Sequence, residues 1–238
     1  MCNLFQMTPK GSAERAIGAT GKRLVGADWE PRTVGPFGEG VLIRQGEGAE
    51  LVAHAGQWGM IRPGQPARIP EKRYQTNNAR IESVAEKPTY RHAWARGQRC
   101  LIPAEWYAEP NWETGQNIWW HLRRADGAPW FLAGLWSEWT DKETGELVPN
   151  FTALTCNCDD HPMLARLHKP DPKLPADQQD KRSLIHIDAG NWEQWLRGST
   201  EEALQLVQPQ PIEVFDQADA IKTDRLLAER VSGQSALF

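Results

Sequence analysis

Residues 117–156, NIWWHLRRADGAPWFLAGLWSEWTDKETGELVPNFTALTC, decide the fold. Residues 117–123 are rich in aromatic and branched side chains that suit a pleated, half-buried strand. They run into Ala125-Asp126-Gly127, a strong turn signal, and 130–136 reads as the returning strand. Lys142-Glu143-Thr144-Gly145 then turns the chain into 151–156, so the stretch predicts a meander of three strands.

The same alternation extends upstream. Residues 41–44 and 50–58 flank Gly46-Glu47-Gly48, with Leu51, Ala53 and Ala55 alternating against Val52 and His54, which predicts a second hairpin. Helices are expected to be few and peripheral. One begins at Asp159 or Asp160 with Pro162 in its first turn and ends at His168. Two more cover 188–196 and 199–207, the latter with Ser199 and Glu202 at capping-box spacing. Beyond Gln217 the pattern fades, and 217–238 reads as a tail. Seventeen prolines and twenty glycines spread through 238 residues mark many short connections, with no tract dividing the chain and no internal repeat. The reading is a single domain over 1–238, mixed and rich in strand.

Nothing resembles a signal peptide or a membrane span, so a cytoplasmic protein is expected, with no membrane partner. Cys2, Cys100, Cys156 and Cys158 are read as thiols, because a chain of this size needs no disulfide staples. The formal net charge is -4. Between Arg62 and Arg99, however, nine basic residues (Arg62, Arg68, Lys72, Arg73, Arg80, Lys87, Arg91, Arg96, Arg99) face three acidic ones (Glu71, Glu82, Glu86), a local +6 that leaves -10 elsewhere. That split suits either a cationic face that steers a phosphate backbone or scattered solvated charges.

Cys2 follows the initiator methionine, and a side chain this small normally permits its removal. An N-terminal cysteine carries an amine with a reference pKa near about 8 beside a thiol near about 8.5. The amine condenses with an aldehyde to an imine, and the thiol closes on the imine carbon to give a five-membered thiazolidine.

The segments Met1-Cys2, Trp58-Gly59, Asn78-Ala79-Arg80-Ile81-Glu82, Arg99-Cys100-Leu101-Ile102-Pro103-Ala104 and Leu164-Ala165-Arg166-Leu167-His168, in that order, closely resemble the SRAP family, the SOS response-associated peptidases or abasic site processing proteins. The resemblance runs from residue 2 to about residue 215. It implies an α+β fold with a β-barrel-like core of mostly antiparallel strands and peripheral helices. It also implies single-stranded DNA containing abasic (AP) sites as the partner, no cofactor, and a covalent crosslink through Cys2 that shields the lesion in the DNA damage and SOS responses. A monomer is expected, with AP lyase and self-processing peptidase activity as corollaries.

By resemblance, the catalytic set is Cys2, Asn78, Glu109 and His168. Asn78 holds the imine or thiazolidine by hydrogen bonds, Glu109 moves protons, and His168 opens the deoxyribose ring to the free aldehyde. Glu105 competes with Glu109 for the acid's role. Arg80 matches the family's phosphate contact, with Trp58, Arg62, Thr155 and Arg166 as further DNA-binding candidates. The sequence departs from the family pattern at Cys2-Asn3-Leu4, where a cation is lost, at 60–66, where a tryptophan is missing, at 105–110, and at an insertion over 169–181.

Three other readings use the same residues. Cys156 and Cys158 with His161 and His168 suggest a zinc site, although structural zinc pairs usually have wider spacing, and no bound metal is expected. Cys2 as an amidase or peptidase nucleophile is a second enzymatic reading. A single-strand binding module, using the basic stretch and some of the twelve tryptophans as stacking platforms, is the third.

Overall fold

A strand with both faces covered is apolar along its length, and the computed structural model is built round such strands. It describes residues 2–69, 74–175 and 177–235. Met1, Glu71, Lys72 and Arg73, on which parts of the sequence reading rest, lie outside them. The strands are β1 (Phe5–Met7), β2 (Arg23–Gly26), β3 (Thr33–Val34), β4 (Glu39–Gln45), β5 (Glu50–Trp58), β6 (Asn78–Arg80), β7 (Arg99–Asn111), β8 (Ile118–Leu122), β9 (Trp130–Thr140), β10 (Leu147–Asn157) and β11 (Arg182–Leu184). The helices are α1 (Lys10–Gly18), α2 (Arg91–Ala95), α3 (Trp192–Arg197), α4 (Thr200–Leu204) and α5 (Ala218–Ser235).

Five strands close on themselves. β4 pairs with β5 and with β7, β7 with β9, β9 with β10, all antiparallel, and a parallel step from β10 to β5 completes the barrel. Gly134 on β9 permits the tight approach inside it: a Cβ there would lie 2.8 Å from Cys100 Sγ and 2.9 Å from the Thr152 carbonyl oxygen. The remaining strands extend the ring, with β1 on β7, β3 on β1, β11 on β10, and β2 and β6 added in parallel to β5 and β10. This is the expected α+β fold with a barrel core.

The hairpin of β4 and β5 and the hairpin of β9 and β10 have the predicted turns. The three-strand meander needs correcting. β8 does not pair with β9; it pairs with residues 107–111 of β7, and β9 pairs with residues 99–104 of the same strand. The two lie end to end along one side of β7, opposite β1. Asp126-Gly127 does turn, with Gly127 at φ +71. Its turn makes an excursion rather than a reversal, fastened where Ala125 N–H donates to Val214 O (2.9 Å) and Asp216 N–H to Arg123 O (2.9 Å).

The helix expected before His168 shortens to a 3-10 turn over Leu164–Arg166, whereas α3 and α4 form as predicted, with both reciprocal bonds of the Ser199/Glu202 capping box. The tail beyond Gln217 is instead helical. α5 docks on β8 through Trp120 Nε1–H donating to Thr223 Oγ1 (2.9 Å) and His121 N–H donating to Asp219 Oδ2 (2.7 Å).

Candidate functional site

Side chains two apart on a strand share a face, so Tyr107, Glu109 and Asn111 at the end of β7 project together. All three are buried, Glu109 to 2% exposure. β1 lies against this end of β7, and Ala108 N–H donating to Leu4 O (2.9 Å) carries the ladder one residue past it. Cys2 is thereby fully buried beside Glu109, its thiol donating to Leu4 O at 3.3 Å. Burial and then the Glu109 carboxylate push the Cys2 thiol well above its ordinary range, and the same two causes push up the Tyr107 phenol.

β6 brings the other side of the site. Its parallel register with β10, Ala153 opposite Asn78, places the Asn77-Asn78 pair over the start of the chain. Asn78 Nδ2 donates to the Cys2 carbonyl at 2.5 Å and Asn77 Nδ2 to the same oxygen at 3.1 Å. Asn78 thus grips the main chain of the cysteine itself. The Oδ1 atoms of both asparagines are buried with no hydrogen-bond partner among the described residues, which leaves two acceptors unused on the side chains that hold the cysteine's carbonyl.

His168 reaches the site from just before the insertion. Its Nε2 lies 2.9 Å from Glu109 Oε2. Three contacts fasten its segment to the end of β7: a bridge between Asn111 and Leu167, Asn111 Nδ2 donating to Arg166 O (3.1 Å), and His168 N–H donating to Pro110 O (2.6 Å). His168 adopts φ +64, the left-handed region that a non-glycine residue rarely occupies without support. Lys181, 7% exposed, donates from Nζ to the carbonyls of both Leu167 and His168 at 2.7 Å. The four catalytic candidates, scattered from residue 2 to residue 168, converge. Glu105, the rival to Glu109, is exposed.

The DNA-binding candidates divide. Arg80 is half exposed and paired with Asp180 at 2.6 Å, while Arg62 is exposed. Arg166 is committed to Glu113 (2.8 Å) and Asp224 (2.5 Å). Trp58 is 1% exposed and packs edge-on against Phe5 at 4.9 Å, so it serves the core rather than offering a stacking face. Thr155 is likewise buried, its hydroxyl donating to Ala79 O at 3.4 Å. Of the basic stretch, Arg99 is buried, donating to the carbonyls of Trp195 and Gly198. Arg68, Lys87, Arg91 and Arg96 are at the surface.

A cleft of about 430 Å³ opens beside His168, lined by Trp112, Pro170, Pro172, Leu174 and Lys181. Among the described residues no three histidine, cysteine or acidic side chains converge as a metal would need, and no helix is long and apolar enough to cross a membrane. His161 uses both ring nitrogens on main chain: Nδ1 accepts from Met163 and Leu164 N–H, and Nε2 meets Gln210 O. All four cysteines are free thiols, Cys156 and Cys158 pushed up by burial to about 11 and about 12.

Sequence reading missed Asn77, Tyr107 and Lys181 in this site. For Asn77 and Tyr107 the signal was adjacency: one precedes Asn78, the other stands two residues before Glu109 on the same strand face. Lys181 carried no signal, since its role depends on where the insertion ends.

The chain is similar to known proteins over most of its length. It is 24% identical over 184 residues, 70% of this chain and 52% of the relative, to the abasic site processing protein HMCES of Xenopus tropicalis. Against the abasic site processing protein YoaM of Bacillus subtilis it is 26% identical over 129 residues, 54% of each chain. These matches span about half the length of the curated relatives. A crystal structure from Bordetella bronchiseptica superposes with a TM-score of 0.77 at 29% identity, covering 90% of this chain and 97% of that one. One from Bacteroides thetaiotaomicron shares the fold, with a TM-score of 0.69 at 22% identity and 90% of each chain covered. The family described as SOS response associated peptidase (SRAP) matches residues 1–223, nearly the whole chain, and to that family the chain belongs.

Proposed function

We propose that this protein processes abasic sites in DNA, binding them in single strands and capturing them covalently through Cys2 once Met1 is removed. The observation that carries the reading is the convergence on one buried cysteine of two amides on its carbonyl, a carboxylate beside its thiol, and an imidazole on that carboxylate. The names of the curated relatives point the same way.

The chemistry follows from the groups present. An AP deoxyribose exists mostly as a closed hemiacetal, and His168 donates a proton to the ring oxygen as the C1′ hydroxyl loses one, giving the open aldehyde. The Cys2 amine adds to C1′. Glu109 relays two protons in turn from nitrogen to the former aldehyde oxygen, the first giving the neutral carbinolamine and the second letting that oxygen leave as water to form the imine. The thiol then adds to the imine carbon while its proton passes to nitrogen, closing the thiazolidine. The unused Oδ1 atoms of Asn77 and Asn78 are suited to accept N–H bonds from the amine along this path.

The raised thiol favours this order over a peptidase. A peptidase nucleophile needs a standing thiolate, which burial and the Glu109 charge both disfavour here, whereas an attacking amine lets the thiol act last, on an already activated carbon. Trp58 and Thr155 are left out of the DNA contacts. Arg80 and Arg62, both reaching solvent, are the phosphate contacts of this reading.

The test is denaturing electrophoresis of the protein with AP-site single-stranded DNA. Wild type is expected to leave a slow-migrating adduct stable to heat, Cys2→Ser a much weaker one, and Cys2→Ala an imine trapped only under borohydride. A heat-stable adduct of undiminished yield from Cys2→Ala would refute the proposal.

A further inference from the structure

Lys181 is buried in this site without a stated part in the chemistry. Its ammonium is spent on two main-chain carbonyls, Leu167 O and His168 O, each at 2.7 Å. Its own N–H donates to Asp159 Oδ1 at 2.7 Å, and Asp180 N–H donates to Asp159 Oδ2 at 3.1 Å. Asp159 is in turn fixed by Asn157 Nδ2 at 2.9 Å. The loop 169–180 thus leaves the site at His168 and returns to it at Lys181, with the returning end anchored to the end of β10.

We propose that Lys181 is a positioning residue, whose ammonium clamps the Leu167 and His168 carbonyls and so holds His168 in the left-handed conformation from which its Nε2 meets Glu109. Adjacent carbonyls drawn to one donor cannot both be satisfied by an ordinary extended strand. The αL turn at His168, φ +64, is the backbone that turns both oxygens to one point while sending the imidazole toward β7. Such a conformation is strained for a non-glycine residue and persists only where surrounding contacts hold it. Without the ammonium, two carbonyls in a buried place lose their donor, and the turn loses the contact that opposes its relaxation. The ammonium reaches the site through the main chain of Leu167 and His168, and it acts through His168.

This rests on the reading of His168 as the residue that opens the sugar ring, so the test separates that step from the rest. Formaldehyde has no ring to open, and its thiazolidine with Cys2 is read by peptide mass. Lys181→Met, nearly isosteric and without charge, is expected to slow crosslinking to AP-site single-stranded DNA by on the order of tenfold or more, since a misplacement of about 1 Å can cost about a hundredfold. Formaldehyde capture should stay within about twofold, and Lys181→Met combined with His168→Ala should be no slower than His168→Ala alone. A cooperative thermal melt certifies each fold; should Lys181→Met not fold, Lys181→Gln, able to keep one carbonyl bond, carries the same comparison. Wild-type crosslinking by the Lys181 variant, or full additivity with His168→Ala, overturns the proposal. No crosslink from wild type overturns instead the reading of the whole site.

Discussion

Replacing Glu109 by glutamine keeps its volume and its reach to His168 but removes the charge. The carboxylate is 2% exposed and 2.9 Å from His168 Nε2, so water screens it little. A hydrogen bond to a charged group is worth roughly 1.5–3 kcal/mol. A neutral bond from the glutamine retains about 0.5–1.5 kcal/mol of this, so at about 1.4 kcal/mol per decade of rate the lost charge alone slows crosslinking roughly tenfold. Loss of proton transfer at the carbinolamine carries the total into the range of about 10²–10⁴ expected of general acid-base assistance. The same substitution lifts one of the two causes that raise the Cys2 thiol, so its pKa should fall and its thiolate fraction rise. The two effects have opposite signs: a more ionised thiol and a slower enzyme. The assay is a quenched time course of AP-site crosslinking on denaturing gels, beside a pH titration of the Cys2 thiol by ultraviolet absorbance in a protein whose other cysteines are replaced. Glu105→Gln, at an exposed position, is the control and should match wild type. Glu109→Gln crosslinking at the wild-type rate, or a thiol pKa that rises instead of falling, would refute the reasoning.

Other outcomes follow from the same geometry. Arg80→Ala should weaken binding to undamaged single strands and lower the slope of log affinity against log salt by about one phosphate contact. Asp180→Asn, which frees Arg80 from its 2.6 Å partner, should instead tighten binding at low salt, both read by fluorescence anisotropy. His186 is buried among Tyr107, Trp130 and Phe215, and its pKa is lowered by burial from 6.5 to about 3. The unfolded chain binds that proton first, so its contribution to stability is complete above about pH 6.5 and is lost as pH falls toward 3. His186→Phe should therefore flatten the fall in Tm over that interval. Trp58→Ala should cost about 3–5 kcal/mol by urea unfolding, as for other large core side chains, with no change in the salt slope of DNA binding.

Where the sequence reading succeeded, it drew on local chemistry. Each hairpin carried its own turn, and the capping box of α4 is written in two residues four positions from start to finish, so neither required knowledge of distant partners. The catalytic candidates were legible because each is a reactive residue inside a recognisable short segment. What escaped was set by tertiary pairing. Both β8 and β9 suit antiparallel pairing, and only the thirteen-residue length of β7 decides that they lie in series upon it. α1 presents just Ala13 and Ile17 to the core, too few anchors for a visible period. α5 docks through Ala220 and Thr223 while Ile221 and Leu226 face solvent, which reverses the apolar pattern a reader would seek. Arg99 looked like part of a cationic surface, yet its guanidinium caps the carbonyls at the end of α3. Trp58 lay in a recognised segment yet packs against Phe5 in the core.

The central claim concerns which atoms bond to the damaged sugar. Crosslinked protein, digested with trypsin and nuclease, should yield the peptide Cys2–Lys10 carrying the sugar remnant with the loss of one water, beginning at cysteine, its thiol no longer open to alkylation. An adduct peptide that still begins at Met1, that keeps an alkylatable Cys2 thiol, or that bears the sugar on a lysine would contradict the account.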